Sequence, residues 1–338
     1  MTLVKIQTSL SLPKNRFKKY ARVGILVDEN TQRFCYESVK QHLPAHVIIK
    51  IPAGELHKNL ETCQQIWKQL TDHRFDRHSL LIILGGGVPG DMGGFCAATF
   101  KRGIDFCLMP TTLLAQVDAS IGGKLGIDFG PFKNHIGLFQ EPIATYIATD
   151  FLKTLPFREL RSGYAEVIKH CLISDKKMWG TIQKRPLEEQ PWLTLVKHSA
   201  AFKSSVVKKD PREIGLRKIL NFGHTLGHGI EGYHLSAGVS LFHGEAIAAG
   251  MVMEAHIACH QKLVNGKELK AVTDYILTVF GKIDVPDGSS LIPLLRQDKK
   301  NKGNTILMAV PKGIGKAVWD VPVSEGEILE AMDYYRSF

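Results

Sequence analysis

Three histidines in a mostly apolar stretch hold the densest chemistry of this chain. Residues 217–228 read Arg217-Lys-Ile-Leu-Asn221-Phe-Gly-His224-Thr-Leu-Gly-His228, and His243-Gly-Glu245 follows after a further apolar run. His224 and His228 stand one helical turn apart, so on a helix they share a face. His243 opens a second long apolar helical pattern. Neutral imidazole is a good ligand for zinc, so such a cluster can hold a transition metal. The His-Glu-x-x-His pattern of metalloproteases is absent, and two histidines at this spacing also occur as ordinary core or surface residues. Gly163-Tyr-Ala-Glu166-Val-Ile-Lys169-His170 adds a second group. Glu166, Lys169 and His170 share one helix face on an apolar background. A buried carboxylate and a buried amine are costly unless paired or bound to a metal. The group reads either as an internal Glu166–Lys169 pair, or as Glu166 joining His224 and His243 on a metal. One Glu and two His leave coordination positions open for a substrate, as a catalytic zinc requires.

A different chemistry surrounds the glycines. Gly85-Gly86-Gly87-Val88-Pro-Gly90-Asp91 satisfies Gly-x-Gly-x-x-Gly after an apolar strand, Leu80 to Leu84, and before a helical stretch, Met92 to Thr99. Such glycines let backbone amides approach a pyrophosphate at a helix N-terminus; the alternative is a tight turn packed under another element. Arg102-Gly103, Gly122-Gly123-Lys124 and Lys133-Asn134 follow. A charged residue beside such turn residues suits contact with an anion, although each pair alone also reads as a turn.

The elements that must position these residues change character along the chain. Up to about Asp150, short apolar runs (Val23 to Val27, Val47 to Ile51, Leu80 to Leu84, Phe106 to Met109, Tyr146 to Ala148) alternate with helical or loop-rich polar stretches. That is the pattern of a parallel α/β sheet. After Asp150 come helical patterns over 161–174, 177–183, 192–208, 219–233, 246–262 and 268–280. Residues 183–191 and 284–290 read as loops. Two short strands, 305–310 and 316–320, and a closing helix from Ser324 finish the chain. The expectation is an α/β domain over 1–150 and a mainly α-helical domain over 151–338. A chain of 338 residues is long enough for two domains and an ample core.

Composition narrows the partners. No apolar run approaches a membrane span, and no secretory signal is visible in residues 1–22. Six scattered cysteines without a Cys-x-x-Cys pair read as reduced thiols of a cytoplasmic protein. The net charge of +10 is not gathered into a basic tract. Small anionic substrates explain its placement beside glycines and asparagines better than nucleic acid does, and a merely basic surface stays open for most of these lysines.

Taken together the motifs resemble the 3-dehydroquinate synthase family. The carriers, in order, are the glycine run at 85–91, Pro-Thr-Thr-Leu-Leu-Ala-Gln-Val-Asp-Ala-Ser-Ile-Gly-Gly-Lys at 110–124, Lys-Asn at 133–134 and Leu-Lys-Thr-Leu-Pro at 152–156. Ala-Glu-Val-Ile-Lys at 165–169, Asn-Phe-Gly-His-x-x-Gly-His at 221–228, His-Gly-Glu at 243–245 and Asp-Lys-Lys at 298–300 complete the set. The resemblance spans essentially the whole chain. It implies a cytoplasmic homodimer of the shikimate pathway, with a Rossmann-like NAD-binding domain, a helical metal-binding domain and an active site between them. It implies zinc, or cobalt in its place, on Glu166, His224 and His243. The NAD contacts would be Asp28, Asn30, Glu55, Lys58, Gly86, Gly87, Val88, Asp91, Thr111, Thr112 and Lys133. Asp118, Lys124, Asn134, Lys169, Lys203, Arg217, Asn221, His228 and one of Lys299 or Lys300 would hold the substrate, and Arg102 would reach across the dimer. Glu213 and His228 match proton-handling positions, and Lys124, Lys169, Arg217 and Asn221 complete the catalytic set.

The reaction so implied converts 3-deoxy-D-arabino-heptulosonate 7-phosphate to 3-dehydroquinate and phosphate. It runs through transient oxidation by NAD, phosphate elimination, reduction, ring opening and aldol closure, with NAD regenerated. The abundance of lysine and arginine suits a substrate with a carboxylate and a phosphate ester. Two positions depart from the family pattern: Leu125, where threonine is usual, and Gly130-Pro-Phe132, where a leucine-glycine pair is common. Competing readings are another sugar phosphate cyclase, a metal-dependent polyol dehydrogenase, and a non-catalytic homologue; the last would lose zinc ligands or Lys169, and all are present.

Overall fold

The computed structural model describes residues 2–12, 16–130, 132–239, 241–296 and 305–338. The chain forms two compact units, Met1–Leu160 with Trp192–Ala200, and Arg161–Pro191 with Ala201–Phe338. The first unit contains, in order, β1 (Leu3–Gln7), β2 (Val23–Asp28), α1 (Glu29–Phe34), α2 (Tyr36–Lys40), β3 (Val47–Ile51), α3 (Leu60–Asp72), β4 (Leu80–Gly85) and α4 (Gly87–Thr99). It continues with β5 (Asp105–Pro110), β6 (Lys124–Phe129), β7 (Phe132–Phe139) and β8 (Ala144–Ala148). Six strands pair in the order β1-β8-β5-β4-β2-β3, all parallel. This is the expected α/β architecture. Every residue of β4 is buried, because helices cover both faces of such a sheet. Along β2 the side chains alternate: Leu26 enters one core with Ile66, Met92 and Cys96, while Ile25 and Val27 enter the other with Val39 and Tyr146, as the two-residue period demands.

β2 lies between β3 and β4. The chain steps from β2 to one side and then returns to the other, so the C-terminal ends of β2 and β4 flank a topological switch point. Ligands of open α/β sheets bind at such crevices.

Several local expectations are corrected. The glycine run is not a loop up to Asp91. Gly85 still belongs to β4, only Gly86 turns, and α4 begins at Gly87. Pro89 falls in the first helical turn, where its missing N–H removes no bond. Residues 113–139 are not loop-rich. They form a π-helical turn, Ala115–Ala119, and an antiparallel hairpin, β6–β7. The edge strand β1 has no counterpart among the expected strands.

The second unit holds the rest, apart from the first half of α7, Trp192–Ala200, which belongs to the first unit. α5 (Phe157–Ser174) begins just before its boundary; α6 (Lys176–Ile182) and α7 (Trp192–Lys209) follow. Next come α8 (His224–Ser236), α9 (His243–His260), α10 (Gly266–Phe280), α11 (Gly288–Arg296), the hairpin of β9 (Ile306–Pro311) and β10 (Ala317–Val323), and α12 (Glu325–Arg336). The helix expected over 219–233 is broken. A 3-10 turn, Leu216–Asn221, is followed by Gly223 at φ +79°, and α8 starts only at His224. α11 begins inside the expected loop 284–290. No helix among the described residues is long and apolar enough to cross a membrane.

Candidate active site

Three helices of the second unit deliver the titratable cluster. α5 buries Glu166, Lys169 and His170, while α8 and α9 open with His224 and His243. Glycines beside the two histidines bring the helices together. The Gly244 N–H donates to Ser162 Oγ at 3.0 Å, and a Cβ on Gly244 would stand 1.9 Å from Ser162 O. α9 therefore starts in backbone contact with α5, one turn before Glu166. A Cβ on Gly250 would stand 2.1 Å from Gly223 O, so the start of α8 lies directly on α9.

The result is a compact donor set. Glu166 Oε1 lies 3.4 Å from His224 Nε2 and 3.7 Å from His243 Nε2, and Glu166 Oε2 pairs with Lys169 Nζ. The far ring nitrogens are engaged elsewhere. His224 Nδ1 is 3.1 Å from Phe222 O, and His243 Nδ1 is 3.4 Å from Glu231 Oε2. A carbonyl and a carboxylate accept, so Nδ1 carries a hydrogen in each ring, which leaves Nε2, on the Glu166 side, as the position for a metal. That is how a metal-ligating histidine is held. Bonds of about 2.0–2.2 Å to zinc give a tetrahedral ligand edge of roughly 3.4 Å. The ligand atoms of Glu166, His224 and His243 lie within 4.8 Å of one another, and the set fits such an ion.

The electrostatics agree. Burial pulls the His243 pKa down, but hydrogen bonds and charge from Glu166 and Glu231 outweigh it and raise it to about 9. Without a cation the pocket calls for a proton there. His228 is exposed on the same face of α8, its ring centroid 5.1 Å from that of His224 and 5.9 Å from that of His243.

A second constellation occupies 210–221. Asp210 accepts backbone N–H bonds from Ile214 (3.1 Å), Gly215 (2.7 Å) and Arg217 (3.0 Å). Burial works against its charge, but these donors hold its carboxyl below the usual range. The turn so fixed buries Arg217, whose Nη1 donates to Pro211 O at 2.7 Å. Glu213 sits at φ +60° and accepts from Asn221 Nδ2 at 2.7 Å. Lys203 is buried on α7. Lys299 and Lys300 lie outside the described residues.

The first unit gathers most of its expected ligands in two places. Gly86, which follows the end of β4, caps α4, and Gly87 starts it; with Asp91, Gly90 and Pro110 they line one pocket, where Val88 packs against the core. A Cβ on Gly86 would meet Thr112 Cγ2 at 2.9 Å, so backbone approaches closely there. Thr111 N–H donates to Gly85 O at 3.0 Å, and Thr112 Oγ1 accepts from Ala115 N–H at 3.2 Å, opening the π-helical turn that carries half-buried Asp118. In the second place Lys58, 4 % exposed, donates to Asp91 Oδ2 and Asn134 Oδ1, both at 2.6 Å. Burial disfavours its charge, but Asp91 and Glu55 raise its pKa. Asn134 N–H donates to Asp128 Oδ1 at 2.7 Å, and Lys133 pairs with Glu55 at 3.8 Å. Asp28 Oδ1 caps α1, accepting from Thr31 N at 2.7 Å; Asn30 is exposed on that helix. Lys124 is exposed at the start of β6, and Arg102 is exposed in a turn at φ +69°.

Both departures have physical readings. Leu125 packs onto α4, where a Cβ on Gly94 would meet its Cδ2 at 2.5 Å. Phe132 is 53 % exposed and lies against the His135 ring at 5.2 Å. Sequence reasoning passed over Glu231, Asp128 and Asp210. Glu231 was findable: it stands seven residues after His224 and three after His228, on their helix face.

The family model "3-dehydroquinate synthase N-terminal" matches residues 48–162, and "3-dehydroquinate synthase C-terminal" matches 163–301. A curated 3-dehydroquinate synthase of Parabacteroides distasonis is 39% identical over 326 residues, 94% of this chain and 92% of that protein. Among solved structures, a 2-epi-5-epi-valiolone synthase of Streptomyces hygroscopicus subsp. jinggangensis, with NAD+ and Zn2+ bound, superposes with a TM-score of 0.90 at 27% identity, covering 100% of this chain and 97% of that one. A 2-deoxy-scyllo-inosose synthase complexed with carbaglucose-6-phosphate, NAD+ and Co2+ gives 0.82 at 25%, covering 94% and 92%. With 39% identity over nearly its full length and both family models matched in tandem, this chain belongs to the 3-dehydroquinate synthase family.

Proposed function

We propose that the chain is a 3-dehydroquinate synthase, a carbon–oxygen lyase of the shikimate pathway that turns 3-deoxy-D-arabino-heptulosonate 7-phosphate into 3-dehydroquinate and phosphate. The observation that carries the reading is the convergence of Glu166, His224 and His243 beside buried Lys169, in a chain of this family. Those three residues hold zinc or cobalt; the ends of β2 and β4, with Lys58, Asp91 and the Lys133–Glu55 pair, hold NAD. When bound, NAD would supply reversible hydride transfer and the metal would supply Lewis acidity toward substrate oxygen.

The chain's own residues do the rest. The α4 N-terminus offers unsatisfied N–H groups to the pyrophosphate. Lys169 neutralises Glu166 and presents its remaining hydrogens to substrate oxygen. Arg217, buried and pre-aimed by the Asp210 turn, grips an anionic group at little entropic cost. Glu213 orients the Asn221 amide, leaving its oxygen and second hydrogen for substrate. His228, exposed and beside the donor set, orients the departing phosphate as it accepts the proton. Lys124, Asp118, Asn134, Lys203 and one of Lys299 or Lys300 complete the substrate contacts. The protein's contribution is positioning and charge stabilisation. The reading includes a cytoplasmic homodimer with Arg102 reaching across, and six free thiols are in keeping with a reducing compartment.

The structural likeness to synthases of other rings makes substrate choice the point to test. Phosphate release is compared between the heptulosonate phosphate and a sugar phosphate lacking the carboxylate, with NAD and zinc present. Release confined to the first, with 3-dehydroquinate as product, supports the proposal. Release confined to the second would move the chain to another sugar phosphate cyclase.

A further inference from the structure

Glu254 has no part in the chemistry above, yet its carboxylate is 0 % exposed. It lies on α9, the helix that His243 opens, and accepts two backbone N–H bonds at the start of α8, from Gly223 at 2.5 Å and Leu226 at 3.0 Å. The first turn of a helix cannot satisfy those N–H groups itself, and a carboxylate there also suits the helix dipole. A local Ser, Asp or Asn at the N-cap is the usual answer. That answer is closed here. The N-cap is Gly223 at φ +79°, and a Cβ on it would stand 2.5 Å from Met251 Cγ and 3.0 Å from Ile247 O. The cap therefore comes from the neighbouring helix, and its two donors bracket His224 and Thr225.

We propose that Glu254 is a positioning residue for the metal: by tying the first turn of α8 to α9 it fixes His224 against His243. The assignment of Glu166, His224 and His243 as ligands underlies this. A cap that only stabilised α8 would be felt in melting alone. A cap that sets one ligand against another is felt in metal affinity and in the ligand field, because metal bonds tolerate displacements of only about 0.2 Å.

The test uses the full-length protein with Zn2+ and Co2+ as probes. Glu254→Gln keeps shape and volume but turns an amide NH2 toward one of the two donors. Ile276→Ala, in the buried face of α10, serves as a control that lowers melting through a lost core side chain outside the α8 cap. Zinc affinity is measured by chelator competition, and the visible spectrum of the Co2+-loaded protein reports ligand geometry. The expected result is a loss of zinc affinity of roughly 10- to 100-fold in Glu254→Gln, with an altered Co2+ spectrum, and neither change in Ile276→Ala. Should Glu254→Gln not fold, Glu254→Asp, which keeps the charge and withdraws it by one methylene, is read the same way. Zinc affinity within twofold of wild type, or an equal loss in the control, overturns the proposal. Wild-type zinc binding that survives His224→Ala overturns instead the ligand assignment beneath it.

Discussion

Replacing Gly244 by alanine tests the convergence of the helices directly. The added methyl carbon would stand 1.9 Å from the backbone oxygen of Ser162, where a carbon–oxygen contact needs about 3.3 Å. Both partners are main chain, so no rotamer relieves the clash. The starts of α9 and α5 must separate by about 1.4 Å. His243 immediately precedes Gly244, and Glu166 lies one turn beyond Ser162. The separation is therefore passed to the His243–Glu166 pair, now 3.7 Å apart, and carries it well beyond the roughly 3.4 Å edge of a zinc tetrahedron. Overpacking of this kind costs about 1–3 kcal/mol, so the variant should fold with a lowered melting temperature. A misplacement near 1 Å costs on the order of 100-fold in rate. Zinc content after dialysis, melting, and phosphate release from the heptulosonate phosphate are the assays. Wild-type zinc retention and turnover in Gly244→Ala would refute the reasoning.

Three further outcomes are expected. Lys58→Met strips the donor from Asp91 and Asn134 together; breaking a buried pair costs about 3 kcal/mol, so melting and NAD affinity, read by calorimetry, should fall jointly, and unchanged values would contradict the network. Metal affinity should rise about tenfold per pH unit toward about 9 and then level off, because His243 in the metal-free protein keeps its proton until then; a flat profile from pH 6.5 to 8.5 in chelator competition would contradict this. His228→Asn, at an exposed position, should melt within about 0.5 kcal/mol of wild type and keep its zinc while turnover falls about 100-fold; loss of zinc instead would make His228 a ligand.

What was legible in the sequence followed from period and residue type. The unbroken apolar run of β4 announced a covered parallel strand, and Glu166, His224 and His243 announced themselves by type on apolar helices. What was not legible depended on distant partners. α4 read as a loop up to Asp91 because Gly, Pro and Gly have poor helix propensity, yet packing against Leu125 and the sheet draws a helix from Gly87. The β6–β7 hairpin escaped because β7 is exposed along most of its length and shows no alternation. The break at Gly223 was invisible since its cause, the close approach of α9, lies in another segment. Glu254 looked like one more charged residue on a helix, and only the fold shows its carboxylate capping another.

The most direct measurement is phosphate release from 3-deoxy-D-arabino-heptulosonate 7-phosphate at substoichiometric NAD, before and after removal and return of zinc. The expected result is many phosphates released per NAD, no net NADH, and activity lost with the metal and restored by it, with 3-dehydroquinate as the product. Net NADH in step with turnover, or full activity in metal-free protein, would contradict the account.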